Sequence, residues 1–226
     1  MASDSTAAAD AKRRPDPERT RQAILAAARD EFAAHGLSGA RVDAIAARTG
    51  AAKRMIYYYF GSKEGLYLAV LEAAYADIRR VEQGLGLDRL PPLEAIRRLI
   101  ESTFDYEEAH PEFIRLVSIE NIHNGKHIAA SQTIQAVNSP VIATLAQVLD
   151  RGKREGVFRL DAEPTDVHML ISAVCFFRVS NRHSFGVLFD CDLLDPAVRA
   201  RHRAMLVDAV LHLLTAVDGR SKAEAA

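Results

Sequence analysis

The chain has 226 residues, 49% of them apolar, with 12 Gly, 8 Pro and 2 Cys, and a formal net charge of −1. No apolar run reaches the roughly 18 residues of a membrane-spanning helix, and the first 20 residues lack the apolar middle of a secretory signal. With Cys175 and Cys191 in no metal or redox spacing, these features predict a helical cytoplasmic protein with no membrane partner. The near-zero charge hides an asymmetry: residues 1–63 hold 11 Lys or Arg against 7 Asp or Glu, and the rest holds 18 against 23. A basic first third on an acidic body suits contact with a polyanion, although an unevenly charged surface gives the same count.

In chain order, residues 1–17 read as a flexible arm carrying Lys12, Arg13 and Arg14. Such an arm either follows a DNA backbone into the minor groove or merely solubilises the chain. "TRQAILAAARDEFAAHG" then sets Ile24, Leu25, Ala28 and Phe32 on one helical face, and Gly36 ends it. "RVDAIAARTG" is a shorter helix closed by Gly50, and "AAKRMIYYYF" begins at once. Two short helices joined by a tight turn and buttressed by a longer one predict a helix-turn-helix over residues 18–63. In that arrangement the second short helix enters the major groove of double-stranded DNA.

The stretch "DAIAARTGAAKRMIYYYFGSKEGLYLAVLE" closely resembles the DNA-binding signature of TetR-family transcriptional regulators. The resemblance covers about residues 18–72 and implies an all-α fold: a three-helix DNA-binding module, a long connecting helix, and a helical ligand-binding and dimerisation domain. It also implies that Tyr58 and Lys63 clamp backbone phosphates, and that Lys53, Arg54, Met55 and Tyr57 approach base edges or adjoining phosphates. Tyr59 completes the exposed aromatic run, while Ile56 and Phe60 plug the helix into the core. For Tyr57, packing against the first helix competes with that role. Ala52 stands where the family commonly has Ser, which removes a helix cap. Met55 stands where Thr or Ser is frequent, offering an apolar contact to a thymine methyl instead. Arg41, opening the second helix, is a candidate to restore a phosphate contact.

Residues 64–218 read as the body, and 219–226 as a tail. "SKEGLYLAVLEAAYADIRRVEQ" predicts a long helix with Leu66, Val70, Ala74 and Ile78 on one stripe. Further helices are expected over "LEAIRRLIESTFDYEEAH", "PEFIRLVSIENIHNGKHIAA", "SPVIATLAQVLDRGKREG", "EPTDVHMLISAVCFFRVSNR" and "DPAVRARHRAMLVDAVLHLLTAV". The last is apolar over more than half its circumference, with Met205, Leu206, Val210, Leu213 and Val217 as candidate contacts. The resemblance implies that such terminal helices pair across a homodimer.

Two polar clusters in the body invite a function. Phe113, Leu116, Glu120, Asn121, His123 and His127 share one face if the helix is continuous. Phe177, Arg178, Asn181 and His183 form the second group. Three readings stand beside one another. The first is an internal network in which Glu120 and Asp105 satisfy Arg115 or Arg178. The second is a pocket for a small organic effector, an aromatic or heterocyclic acid held by the arginine. The third is a metal site built on Glu120-x-x-His123 with His127, for which a di-iron bundle would need a second copy of the motif. No nucleophile, base or complete metal set is found, so the sequence predicts no cofactor, no metal and no enzyme. It predicts a regulator, most simply a repressor that binds a palindromic operator as a dimer and is released by its effector. A nucleoid binder would need a larger basic surface.

Overall fold

The computed structural model describes residues 16–159 and 161–216; Val217, the Lys12–Arg13–Arg14 arm and the tail lie outside them. Among the described residues the regular structure is helical. Helix α1 (Pro17–Gly39) opens with Pro17 behind Asp16, whose carboxylate accepts from the Glu18 amide at 3.0 Å, and it kinks at Gly36. Helices α2 (Val42–Thr49) and α3 (Lys53–Phe60) follow, separated by Gly50 in the left-handed region. The long α4 (Lys63–Gln83) is capped by Ser62, whose Oγ accepts from the Gly65 amide at 3.0 Å. Gly65 is required by space: a Cβ there would lie 2.1 Å from the Phe60 carbonyl oxygen, so only glycine lets α3 turn this tightly into α4.

The body comprises α5 (Pro92–Ala109), α6 (Pro111–Ile122), α7 (Lys126–Ala130), α8 (Gln132–Arg154), α9 (Pro164–Ser180), α10 (Arg182–Phe189) and α11 (Pro196–Thr215). Three boundaries differ from the periodic reading. The segment expected as one helix from Pro111 to Ala130 breaks at Asn124 and Gly125, both at positive φ. This break starts α7 in a new direction. Helix α8 begins at Gln132 and runs through Pro140 instead of starting beside it. Ser131 supplies the start signal, its Oγ accepting from the Ile134 amide at 3.1 Å. The helix expected to run through Arg182 ends at Ser180, and Arg182 opens the further short helix α10.

Two hydrophobic cores result. The first joins α1–α4 to α6: Ile24, Phe32, Ile45, Ile56 and Leu66 pack with Ile114 and Leu116, and Tyr67 meets Phe32 edge-on at 5.1 Å. Burying each such side chain contributes about 1.5–3 kcal/mol, so the DNA-binding helices are fused to the body rather than tethered to it. The second core unites α5, α8, α9 and α11 around Ile96, Ile100, Phe104 and Val210. Helix α4 runs from the first core to their junction, and the cavities described below open there.

Candidate nucleic-acid interface and effector site

Helix α3 is two turns long, so residues four apart share a strip. Ile56 and Phe60 form the inner strip, Ile56 being 1% exposed and Phe60 packed against the core beneath the Arg21 guanidinium. Lys53 with Tyr57 and Arg54 with Tyr58 form two outward strips, and Tyr58 is 79% exposed. Met55 and Tyr59 form the fourth strip, facing a cleft shared with Pro17 and Thr20 at the start of α1. Tyr59 is half-buried against the core and meets Tyr58 edge-on at 5.5 Å. The expectation of an outward Tyr59 is therefore corrected: the four-residue repeat turns it back towards α1. Tyr57, for which packing against α1 was an alternative, stays exposed.

Polar groups fix the frame of this surface. The Ala52 cap position carries no side-chain bond, and Lys53 instead bridges to Asp43 of α2 at 2.8 Å. That bond, with the mutual attraction of the charges, lowers the Asp43 pKa and raises that of Lys53. Lys63 reaches back to donate to the Ser38 carbonyl at 3.1 Å. The Arg41 amide donates to the buried Glu31 carboxylate at 2.9 Å and the Arg41 residue is itself exposed at the mouth of α2. Arg41, Lys53, Arg54, Tyr57, Tyr58 and Lys63 thus sit on α2, α3 and the first turn of α4 with cationic or hydroxyl ends available at the surface.

The two polar clusters of the body do not converge. Glu120 is fully buried, and one oxygen accepts from the amides of His127 (2.6 Å) and Ile128 (3.1 Å). Its other oxygen lies 2.9 Å from His127 Nδ1, and the His127 ring stands edge-on to Tyr67 at 5.1 Å. Glu120 is therefore the N-terminal anchor of α7. Leu116 is core, Asn121 bonds its own helix through the Val117 carbonyl, and His123 meets His127 edge-on. Of that group only Phe113 lines a cavity. Among the described residues no set of three or more His, Cys, Asp or Glu is grouped to hold a metal ion.

Arg178 is likewise committed. It donates to the Leu193 carbonyl at 2.7 Å, meets Glu108 at 3.3 Å and His202 Nδ1 at 2.5 Å, and covers the Phe104 ring. Burial and the Arg178 charge lower the His202 pKa, which keeps its ring neutral and its Nδ1 able to accept. Arg199 joins Asp105 and Glu108, and Arg203 joins Glu101 and Asp105, so the network fastens α5 to α11. Asp105 serves α11, not Arg115 or Arg178. Phe177 is half exposed against Phe185, Asn181 bonds Ser180, and His183 is exposed beside Arg182. The expected effector set is thus corrected: apart from Phe113 and from His183, which borders an open cleft with Ile114 and Arg115, its members are core, helix anchor, interhelical network or surface.

The enclosed space lies elsewhere. An inner cavity of about 190 Å³ is walled by Tyr75, Phe113, Val117 and Phe176, with Glu107, Arg79 and Glu82 among its polar groups. Arg79 and Glu82 also wall an outer cavity of about 290 Å³ against α8 near Pro140. Arg79 and Glu82 pair at 2.5 Å, and both are buried. The enclosed Oε2 of Glu107 and Nε of Arg79 have no hydrogen-bond partner. Burial, reinforced by neighbouring Glu82, pushes the Glu107 carboxyl up to about 8. Burial and Arg79 lower the pKa of His168, which also lines the inner cavity. A signal for this site was present in the stripes. The α4 series Leu66, Val70, Ala74, Ile78 continues to Glu82, and the α5 series Ile96, Ile100, Thr103 continues to Glu107. An acid on an apolar stripe is a buried charge that needs a reason.

The terminal helix divides its predicted contacts. Leu206 and Val210 are 2% and 0% exposed inside the chain's own core, because α11 packs on α5 and α9, so they are unavailable to a second copy. Met205 and Leu213 are 55% and 44% exposed.

Comparison with known proteins agrees with this architecture. The family model "Bacterial regulatory proteins, tetR family" matches residues 24–70, and "Tetracyclin repressor-like, C-terminal domain" matches residues 92–210. The chain is 37% identical to the HTH-type transcriptional repressor NicS of Pseudomonas putida, over 86% of this chain and 92% of that one. It is 40% identical to the HTH-type transcriptional repressor SCO4008 of Streptomyces coelicolor, over 73% and 80% respectively. Among solved structures, the putative transcriptional regulator SCO4942 from Streptomyces coelicolor is 30% identical with a TM-score of 0.65, covering 86% of this chain and 97% of that one. With a helix-turn-helix at its head, a helical body behind it and repressors as relatives along most of its length, this chain belongs to the TetR family of DNA-binding transcriptional regulators.

Proposed function

We propose that this regulator is a repressor that binds a two-fold symmetric operator as a homodimer and leaves it when a small organic molecule occupies the cavity at Arg79 and Glu107. The observation that carries this reading is the course of α4. Its first turns, at Leu66 and Tyr67, are locked into the core of the DNA-binding helices, while its last turns, at Ile78, Arg79 and Glu82, wall the cavity. A helix of 21 residues is about 30 Å long, so a tilt of about 5° displaces its far end by roughly 2.5 Å. A dimer matched to half-sites one helical turn apart loses register through such a shift. The effector need only prefer the unmatched conformation, and the coupling equals that difference in affinity. Met205 and Leu213 supply exposed apolar area on α11 for the partner copy.

Operator titrations over a range of salt concentrations test the DNA-binding half. Lys63→Ala weakens binding by a similar factor on every operator variant and reduces the salt slope by about 1, because it removes one phosphate contact. Tyr58→Phe weakens binding uniformly with the slope retained. Lys53→Ala changes which operator variants are preferred. An unchanged slope for Lys63→Ala would remove this residue from the interface.

A further inference from the structure

Resting on the reading of the inner cavity as the effector site, we infer that it takes a planar nitrogen compound, neutral or protonated, whose N–H donates to Glu107, and that it discriminates against carboxylates. The cavity holds two carboxyl groups, Glu82 and Glu107, and one guanidinium, Arg79, all less than a tenth exposed. Arg79 is already matched with Glu82 at 2.5 Å. An incoming carboxylate would therefore meet a guanidinium already neutralised by Glu82, and would have to displace Glu82 into an apolar wall to pair with it. Leaving a buried charge unpaired is among the costliest events in a protein interior. The aromatic or heterocyclic acid expected from sequence rested on Arg178, which is occupied by Glu108, His202 and the Leu193 carbonyl.

Glu107 is the carboxyl left over, beside the equally unpartnered Nε of Arg79, which can donate to a ligand carbonyl. Its enclosed Oε2 has no hydrogen-bond partner, and buried polar atoms are almost always partnered. The groups that face it are Arg79, Glu82 and Tyr75 from α4, and His168, Ser172 and Cys175 from α9; α6 presents only Phe113 and Val117. Ser172 sits 3.4 Å from His168, whose ring stays neutral, and Thr103 donates to the Leu99 carbonyl. None of them donates to Glu107. With its carboxyl raised to about 8 by burial, Glu107 is mainly protonated at pH 7. The protonated carboxyl accepts one N–H and donates one O–H, which an amide or lactam satisfies edge to edge. When a cation enters, Glu107 releases its proton to solvent and the carboxylate pairs with the cation. Tyr75 and Phe113, edge-on at 5.5 Å, and Phe176 give the ring its apolar walls.

Three probes of nearly equal shape separate charge from size: benzamidine (cation), benzamide (neutral) and benzoate (anion). Dissociation constants are measured calorimetrically on the full chain at pH 7 in buffers of different ionisation enthalpy. Benzamide and benzamidine are expected to bind at least about tenfold tighter than benzoate. Benzamidine should release close to one proton per site and benzamide close to none. Glu107→Gln keeps an acceptor but has no proton to lose, so it should retain benzamide, weaken benzamidine about tenfold or more, and abolish the proton release. If that variant fails to fold, the order of affinities and the proton count on the unmodified chain still decide. Benzoate binding tightest, or benzamidine binding without proton release, overturns the assigned chemistry and leaves the cavity as an effector site. Failure of all three to bind at millimolar concentration overturns the cavity reading itself.

Discussion

Two buried glutamates, Glu120 on α6 and Glu107 on α5, set the region around α7 apart from the region around the inner cavity. Glu120 is fully enclosed and receives two backbone amides and a histidine ring. Glu107 is 5% exposed, and its enclosed oxygen receives nothing. Both are acids on otherwise apolar stripes, although only Glu120 stands out among the sequence candidates. The satisfied one holds the structure together at the junction of α4, α6 and α7. In the proposed function the unsatisfied one is the group that a ligand would pair, which offsets the cost of burying it without a partner.

The largest effect that sharpens this contrast is on Glu120. Glu120→Ala strands the His127 and Ile128 amides and the His127 ring together. The loss is about 3–5 kcal/mol, a fall in melting temperature of about 10 °C for a chain of this size. The Glu107→Gln change is far milder at pH 7. Melting curves of the two variants side by side check the pair, and equal losses would erase the distinction.

A second effect appears as pH dependence. Glu107 is raised from 4.5 to about 8 by burial, so the folded state holds a proton that the unfolded state has lost across that interval. Its contribution to stability is fullest below about 4.5 and is lost as pH rises through about 8. Glu82 is also raised, by burial against the pull of Arg79, and adds with the same sign. These two acids therefore pull stability down from about pH 5 to about pH 8, His168 and His202 with their lowered pKa values act in the opposite sense below about 6.5, and Glu107→Gln removes most of the downward component. Thermal unfolding in a pH series measures it; an unaltered slope in the variant would assign the titration to other groups.

The smallest effect tests the Glu120 region from its other side. The Tyr67 hydroxyl is buried next to the Glu120 carboxylate outside full hydrogen-bond geometry, and burial, then the Glu120 charge and its weak polar contact, raise its pKa. Tyr67→Phe removes that hydroxyl while keeping the ring against Phe32 and His127, so stability changes by less than about 1 kcal/mol, neutral or upward. Denaturant titration resolves it. A loss well above that would mean the hydroxyl is bonded in solution.

The DNA-binding half was legible because its information is local. The aromatic run on α3, Gly50 between two short helices and the Ser62 cap each act within a few residues, where helical period and capping chemistry fix the outcome. Even there, the division of Tyr57, Tyr58 and Tyr59 between surface and core depended on which strip faced α1. The body was legible as helices and not as a site. The apolar stripes of α4, α5 and α11 could be read from period, but not what each stripe would meet. Leu206 and Val210 face inward only because α5 and α9 lie beneath them. Glu120 serves α7 only because Asn124 and Gly125 break the helix and fold His127 back onto it. Glu82 and Glu107, 25 residues apart in sequence, share a cavity only because α4 and α5 pack with their charged turns together. The sequence alone determined an all-helical chain with a DNA-reading head, since propensity, caps and glycine turns act locally. The tertiary structure decided which buried acids are satisfied and which is left without a partner, because satisfaction depends on groups distant in the chain.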